Sequence, residues 1–179
     1  DADDATREEA AKALAELANP ATLDALIGAC GDEFWSVRTR AGWGVAKIGG
    51  PKAIEALIVL FNDPIMEVRN EAVAAVVSLG AGQLDRLLAA MKDERWRVRE
   101  HAAKACGDLH DSRAVDALTF ACRDRDGAVK SAAAEALGKI GDPKAIPALV
   151  KLFRDSSKIV RETAGIALVA IGQPSVDLL

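Results

Sequence analysis

One spacing constrains this chain more than anything else in it. Val-Arg or Val-Lys recurs at Val37-Arg38, Val68-Arg69, Val98-Arg99, Val129-Lys130 and Val160-Arg161, in steps of 31, 30, 31 and 31 residues. Thr6-Arg7, 31 residues before the first, is a weaker copy. An aspartate stands five residues ahead of every site: Asp1, Asp32, Asp63, Asp93, Asp124 and Asp155. A period in this range marks stacked supersecondary units, because one such unit does not bury its own apolar face.

Each period holds two stretches with helical spacing. The shorter is clearest in PKAIEALIVLF (51–61) and PKAIPALVKLF (143–153), where Pro143 is expected to begin the helix. Ile54, Leu57, Ile58 and Phe61 lie on one helical face. The longer is clearest in VRNEAVAAVVSLG (68–80) and VRETAGIALVAIG (160–172), and Gly49, Gly80, Gly141 and Gly172 fit helix stops. The units are about 1–19, 20–49, 50–80, 81–110, 111–141 and 142–172, with a partial one at 173–179, giving five short and six long helices in a single array. PSVDLL reads as the start of another short helix.

Composition agrees. Half of the 179 residues are hydrophobic and 28% are charged, which suits a soluble chain with a substantial core rather than a disordered one. Aromatics are only 4%, with three Trp and no Tyr, which favours helices packed through small side chains over a β-sandwich. The fold class is all-α.

The unit resembles the short HEAT-like repeats found in phycobilin lyases. The residues that carry the likeness are an Asp six positions before an Arg, then Ala-Leu or similar, then Ile/Leu-Gly, then Asp/Gly-Pro, as in GDPKAIPALVKLFRDSSKIVRETAGIALVAIG. The chain is also similar to artificial HEAT-like repeat binding proteins, in which the open helix positions are the diversified ones. The resemblance implies a right-handed α-solenoid with the longer helices on the concave side.

Taking the repeated Val as position zero and 100° per residue, positions 0, +4, +7, +8 and +11 share the core arc. In the last unit these are Val160, Ala164, Ala167, Leu168 and Ile171. Positions +5 and +9 are small or apolar and are expected to meet neighbouring helices. Positions −1, +2, +3, +6 and +10 form the open arc, with −2 at its entrance.

The phased acids and bases read as a structural ladder of Asp32, Arg38, Asp63, Arg69, Asp93, Arg99, Asp124, Lys130, Asp155 and Arg161. Each Asp is placed to accept N–H groups of its turn, and each base to bridge to the Asp of its own or the next unit. Cys30, Cys106 and Cys122 fall in core slots shared with Phe61, Met91, Phe153, Leu137 and Leu168, so core packing is their expected role.

The open arc varies from unit to unit and is the expected partner-binding surface. It displays Trp35, Thr39, Arg40 and Trp43, then Met66 and Asn70, then Trp96, Arg97, Glu100, His101 and Lys104. Trp35, Met66 and Trp96 share position −2 and are expected in one row. Two placements fit Trp35 and Trp96: exposed on the arc, or wedged between units. Aromatic residues and Met beside Arg have the make-up of a protein-binding hot spot. A weaker patch is Ile159, Thr163 and Ile166. His101 is expected to be solvated or to touch the partner.

These readings favour a non-enzymatic scaffold that binds a protein partner, with no catalytic residue, no metal and no cofactor. A bilin-lyase-like subunit is one alternative, and an alkyl-base glycosylase of the HEAT-like type, with Trp35, Trp43, Trp96 and Asp108 over DNA, is another. A net charge of −4 argues against nucleic acid as the partner. A di-iron hydroxylase of the deoxyhypusine type needs His-Glu pairs, and the sequence has only Glu100-His101 in reverse and His110. No apolar run approaches the ~18 residues of a membrane span. An odd number of cysteines without CxxC argues against a disulfide framework and for a reducing, cytoplasmic setting. The chain is expected to be a monomer or part of a longer repeat array.

Overall fold

The computed structural model describes residues 3–172. Among them are eleven α-helices and no strand. The long helices are α1 (Asp4–Leu17), α3 (Trp35–Ile48), α5 (Met66–Ser78), α7 (Trp96–Asp108), α9 (Gly127–Ile140) and α11 (Lys158–Gly172). The short ones are α2 (Leu23–Ala29), α4 (Pro51–Leu60), α6 (Leu84–Ala90), α8 (Val115–Ala121) and α10 (Ile146–Leu152). Long and short helices alternate, as the repeat predicts, and the protein is an α-solenoid of two-helix repeats.

The entry to the short helices is finer than the sequence pattern. α4 starts directly at Pro51, but Pro20–Thr22, Ala81–Gln83, Ser112–Ala114 and Pro143–Ala145 are 3-10 turns that lead into the helix. Pro143 therefore opens such a turn and not α10 itself. The cause is local: Asn19, Asp111 and Asp142 each accept the amide two residues on, at 2.9 Å, and this tightens the backbone ahead of the helix.

The long helices stop at one phase of the repeat. Gly49, Gly80 and Gly141 follow the last turn with φ of +72°, +78° and +77°. Ala18 and His110 hold the same phase with φ of +45° and +51°, where a Cβ makes that conformation costly. Gly172 is still helical, the last described residue of α11. PSVDLL lies outside the described residues.

The chain divides into two compact units, Asp1–Gln83 and Leu84–Leu179. In the first, α1, α3 and α5 pack side by side against α2 and α4. In the second, α7, α9 and α11 do the same against α6, α8 and α10. The repeated Val is buried from Val37 to Val160, and Leu26, Leu57, Leu87, Leu118 and Leu149 of the short helices are fully buried opposite them.

Neighbouring long helices touch at one point of the repeat, where position +9 of one meets position +7 of the next. A Cβ on Gly107 would lie 2.7 Å from Ala136 Cα, and one on Gly138 would lie 2.9 Å from Ala167 Cα. In the first unit a Cβ on Gly44 would lie 2.8 Å from Ala15 Cβ. Each of these three contacts pairs one glycine with one alanine and brings the backbones together. Phe61 is fully buried, whereas Phe153 in the equivalent slot is half exposed.

Candidate partner-binding face

The Asp–Arg ladder holds the turns that aim the long helices. In the five repeats whose Asp is described, it accepts the amide two residues on: Phe34 to Asp32, Ile65 to Asp63, Arg95 to Asp93, Asp126 to Asp124 and Ser157 to Asp155, all at 2.8–2.9 Å. The base then reaches both ways. Arg38 donates to both oxygens of Asp63 (2.6 and 2.8 Å) and to the carbonyls of Asp32 and Glu33. Arg99 does the same with Asp124 and the carbonyls of Asp93 and Glu94. Arg7 reaches Asp32, and Lys130 pairs with Asp155.

Two rungs differ. Arg69 donates to its own turn, to the carbonyls of Asp63 and Pro64, as Arg161 does to those of Asp155 and Ser156. Asp93 is gripped through both oxygens by Arg95, the base two residues on.

These bonds set the carboxylate acidities. The Arg95 guanidinium holds Asp93 down at about 2. The Phe34 amide, with Arg7, lowers Asp32, and Lys130 with the Ser157 amide lowers Asp155. Burial pushes Asp124 up, but Arg99 and the Asp126 amide outweigh it and the net shift is downward.

With its turns pinned, the first unit presents one face of α3 and α5. Trp35 and Met66 start these two helices at the same repeat position and are 50% and 56% exposed. Trp43, two turns along α3, is half-buried, and its indole Nε1 donates to Glu71 Oε2 on α5 at 2.8 Å. Arg40 and Asn70 are exposed, and Arg40 approaches Glu8 of α1 at 3.5 Å. Thr39 is half-buried with its hydroxyl turned back to the Trp35 carbonyl. Glu71 is the feature the sequence left unmarked here: it was legible as an open-arc residue, but its bond to Trp43 depends on how α3 and α5 align.

The second unit carries the same positions on α7. Trp96 is 37% exposed, with the Arg97 guanidinium 4.8 Å from its ring centre. Glu100 and Lys104 are half-buried and paired at 2.7 Å. With Ser131, Glu135 and Ile159 they line a groove of about 410 Å³.

His101 is a correction. Expected on the open arc, it is 1% exposed, with Nδ1 2.8 Å from the Arg97 carbonyl. Position +3 borders the packed flank of the arc, and it is open at Arg40 and Glu71 in the first unit but covered by the neighbouring helix on α7. Ala132, the same position on α9, is buried too. His101 therefore packs inside the repeat array and presents nothing to a partner.

The three cysteines are in their core slots. Cys106 and Cys122 are buried, Cys30 is half-buried, and burial pushes all three thiols up to about 12. Among the described residues no group of His, Cys, Asp or Glu is arranged to hold a metal ion, and no single helix is long and apolar enough to cross a membrane.

Stacked two-helix repeats, pinned by a phased Asp–Arg ladder, define an α-solenoid repeat protein. The chain belongs to the HEAT-repeat family, whose model matches residues 1–77 and 84–178. Comparison with curated proteins finds no match. Solved structures share the fold at low identity. The complex of CpcE and CpcF of phycocyanin lyase from Nostoc sp. PCC7120 aligns with a TM-score of 0.64 at 21% identity, over 84% of this chain and 99% of that one. Human deoxyhypusine hydroxylase aligns at 0.53 and 20%, over 96% and 81%. Computationally designed armadillo repeat proteins for modular peptide recognition align at 0.51 and 21%, over 94% of each chain.

Proposed function

We propose that this protein is a non-enzymatic scaffold that binds a protein partner on the long-helix face. The observation that carries the reading is the exposure of Trp35 and Met66 at the head of consecutive long helices. Large apolar side chains placed together in water mark interaction surfaces, and Trp beside Arg is typical of a hot-spot centre. Trp43, anchored by Glu71, supplies an aromatic edge already fixed in place. A fixed side chain loses little entropy on binding.

Thr39, Arg40 and Asn70 border this patch in the first unit, and Trp96, Arg97, Glu100 and Lys104 extend the same helix positions in the second. The bound element is a peptide or helix, and armadillo proteins designed for peptide recognition share this fold. Likeness to the lyase and the hydroxylase at 20–21% identity carries the fold and no activity. Three unpaired thiols support a cytoplasmic setting.

The test compares wild type with Trp35→Ala and Trp96→Ala in affinity capture and quantitative mass spectrometry. Both variants are expected to keep the wild-type helical melt and to lose the partners that wild type enriches. An unchanged set of captured proteins overturns the reading.

A further inference from the structure

We propose a second binding site, on the short-helix side of the second unit: a cleft between α6 and α8 that takes an acidic, apolar peptide segment. The cleft encloses about 690 Å³, inside the range of roughly 300–1,000 Å³ typical of ligand pockets. Leu88, Met91, Ala117 and Ala121 line it, and Phe120 stands beside them 76% exposed.

The neighbouring cleft between α8 and α10 is an internal comparison, because the same repeat positions line it. There Thr119, Cys122 and Lys151 stand where the first cleft has Leu88, Met91 and Phe120, and the space is about 270 Å³. The same repeat positions thus leave a smaller and less apolar notch one repeat on. Side chains particular to one repeat make the larger apolar cleft, and its most apolar member is left in water.

The rim sets the charge of the occupant. Asp124 is taken up by Arg99 and Asp93 by Arg95, each through both oxygens. Lys92 and Arg123 make no side-chain bond among the described residues, and Arg125 reaches only the Glu94 carbonyl, at 3.4 Å. Among the described residues, Glu94 is the one rim carboxylate without a cationic partner. Lys92 and Arg123, with Arg125 held only by one long bond, face a single carboxylate without a partner around an apolar floor, which matches a segment that carries Leu or Phe beside Glu or Asp.

The chain has two methionines, Met66 on the long-helix face of the first unit and Met91 in this cleft. Methyl-labelled methionine NMR therefore reads the two proposed sites separately in the full chain. The probe is a short synthetic peptide of Leu-Leu-Glu-Glu repeats, with Leu-Leu-Lys-Lys and Ser-Ser-Glu-Glu peptides as comparators. The Met91 methyl is expected to shift saturably with the first peptide and with neither comparator, while Met66 stays still. Phe120→Ala and Arg123→Glu, both at exposed side chains, are expected to keep the helical melt and weaken the peptide by about tenfold or more each. A static Met91 signal, an equal response to the basic peptide, or binding indifferent to both variants overturns the proposal. A shift at Met66 alone places the peptide on the long-helix face, which also overturns this site and leaves the long-helix reading standing.

Discussion

Replacing Gly107 by alanine is expected to destabilise the protein even though alanine is the better helix former. The added Cβ would lie 2.7 Å from both Cα and Cβ of Ala136. Those atoms belong to, or sit directly on, the backbone of α9, so no rotamer change relieves the clash and the helices must separate. Overpacking of this kind costs about 1–3 kcal/mol. Glycine to alanine in a helix interior returns about 1 kcal/mol. The net loss is up to about 2 kcal/mol, which for a chain of this size lowers the melting temperature by up to about 8 °C.

The control is Gly28→Ala in α2, where nothing lies within 4 Å of the added atom. That variant gains only propensity, about 0.5–1 kcal/mol, and melts about 1–4 °C higher. Adding Ala136→Gly to Gly107→Ala exchanges the glycine and alanine of the contact and recovers near-wild-type stability. Thermal and urea melts followed by circular dichroism at the helical band read all three. The reasoning is wrong if Gly107→Ala melts at or above wild type, or if the double variant is less stable than the single one.

Two further expectations follow from the caps and the ladder. Ala18 closes α1 with φ of +45°, so Ala18→Gly removes a backbone penalty of about 1 kcal/mol and raises the urea midpoint, while the same change at a right-handed exposed site lowers it. Asp32, Asp93, Asp124 and Asp155 have folded acidities shifted below the ordinary value of 3.8, so their contribution is fully present above about pH 4 and is lost as the pH falls through their lowered folded values, which for Asp93 is about 2. Stability measured by urea titration is expected to hold to about pH 5 and then fall, and Asp93→Asn is expected to make that fall shallower.

The repeat made the architecture legible before any coordinates. Val at one phase, Asp five residues ahead and glycine at the end of the long stretch name the core arc, the turn and the helix stop. The Val and Asp occur where the periodicity puts them and the left-handed cap does so at Gly49, Gly80 and Gly141, because the physics behind each is local: a helical face, an Asx turn, a left-handed cap. The short helices were less legible: Asn19, Asp111 and Asp142 mark three of the 3-10 entries, but Ala81–Gln83 forms one after Gly80 with no such residue, while Pro51, also after a glycine, starts its helix directly.

Within the long-helix face, the sequence determined which residues leave the core arc, and Trp35, Met66, Arg40 and Asn70 are exposed as that arithmetic requires. It missed His101, because a wheel of 100° steps has no sharp edge, and only the approach of a neighbouring helix decides whether position +3 is covered. The bond from Trp43 to Glu71 and the unpaired cations around the Phe120 cleft are likewise products of packing between repeats. Periodicity is a property of one helix and can be read along the chain. Where two helices meet, and what stays open beside them, depends on distances between residues far apart in sequence, and the tertiary structure alone supplies those.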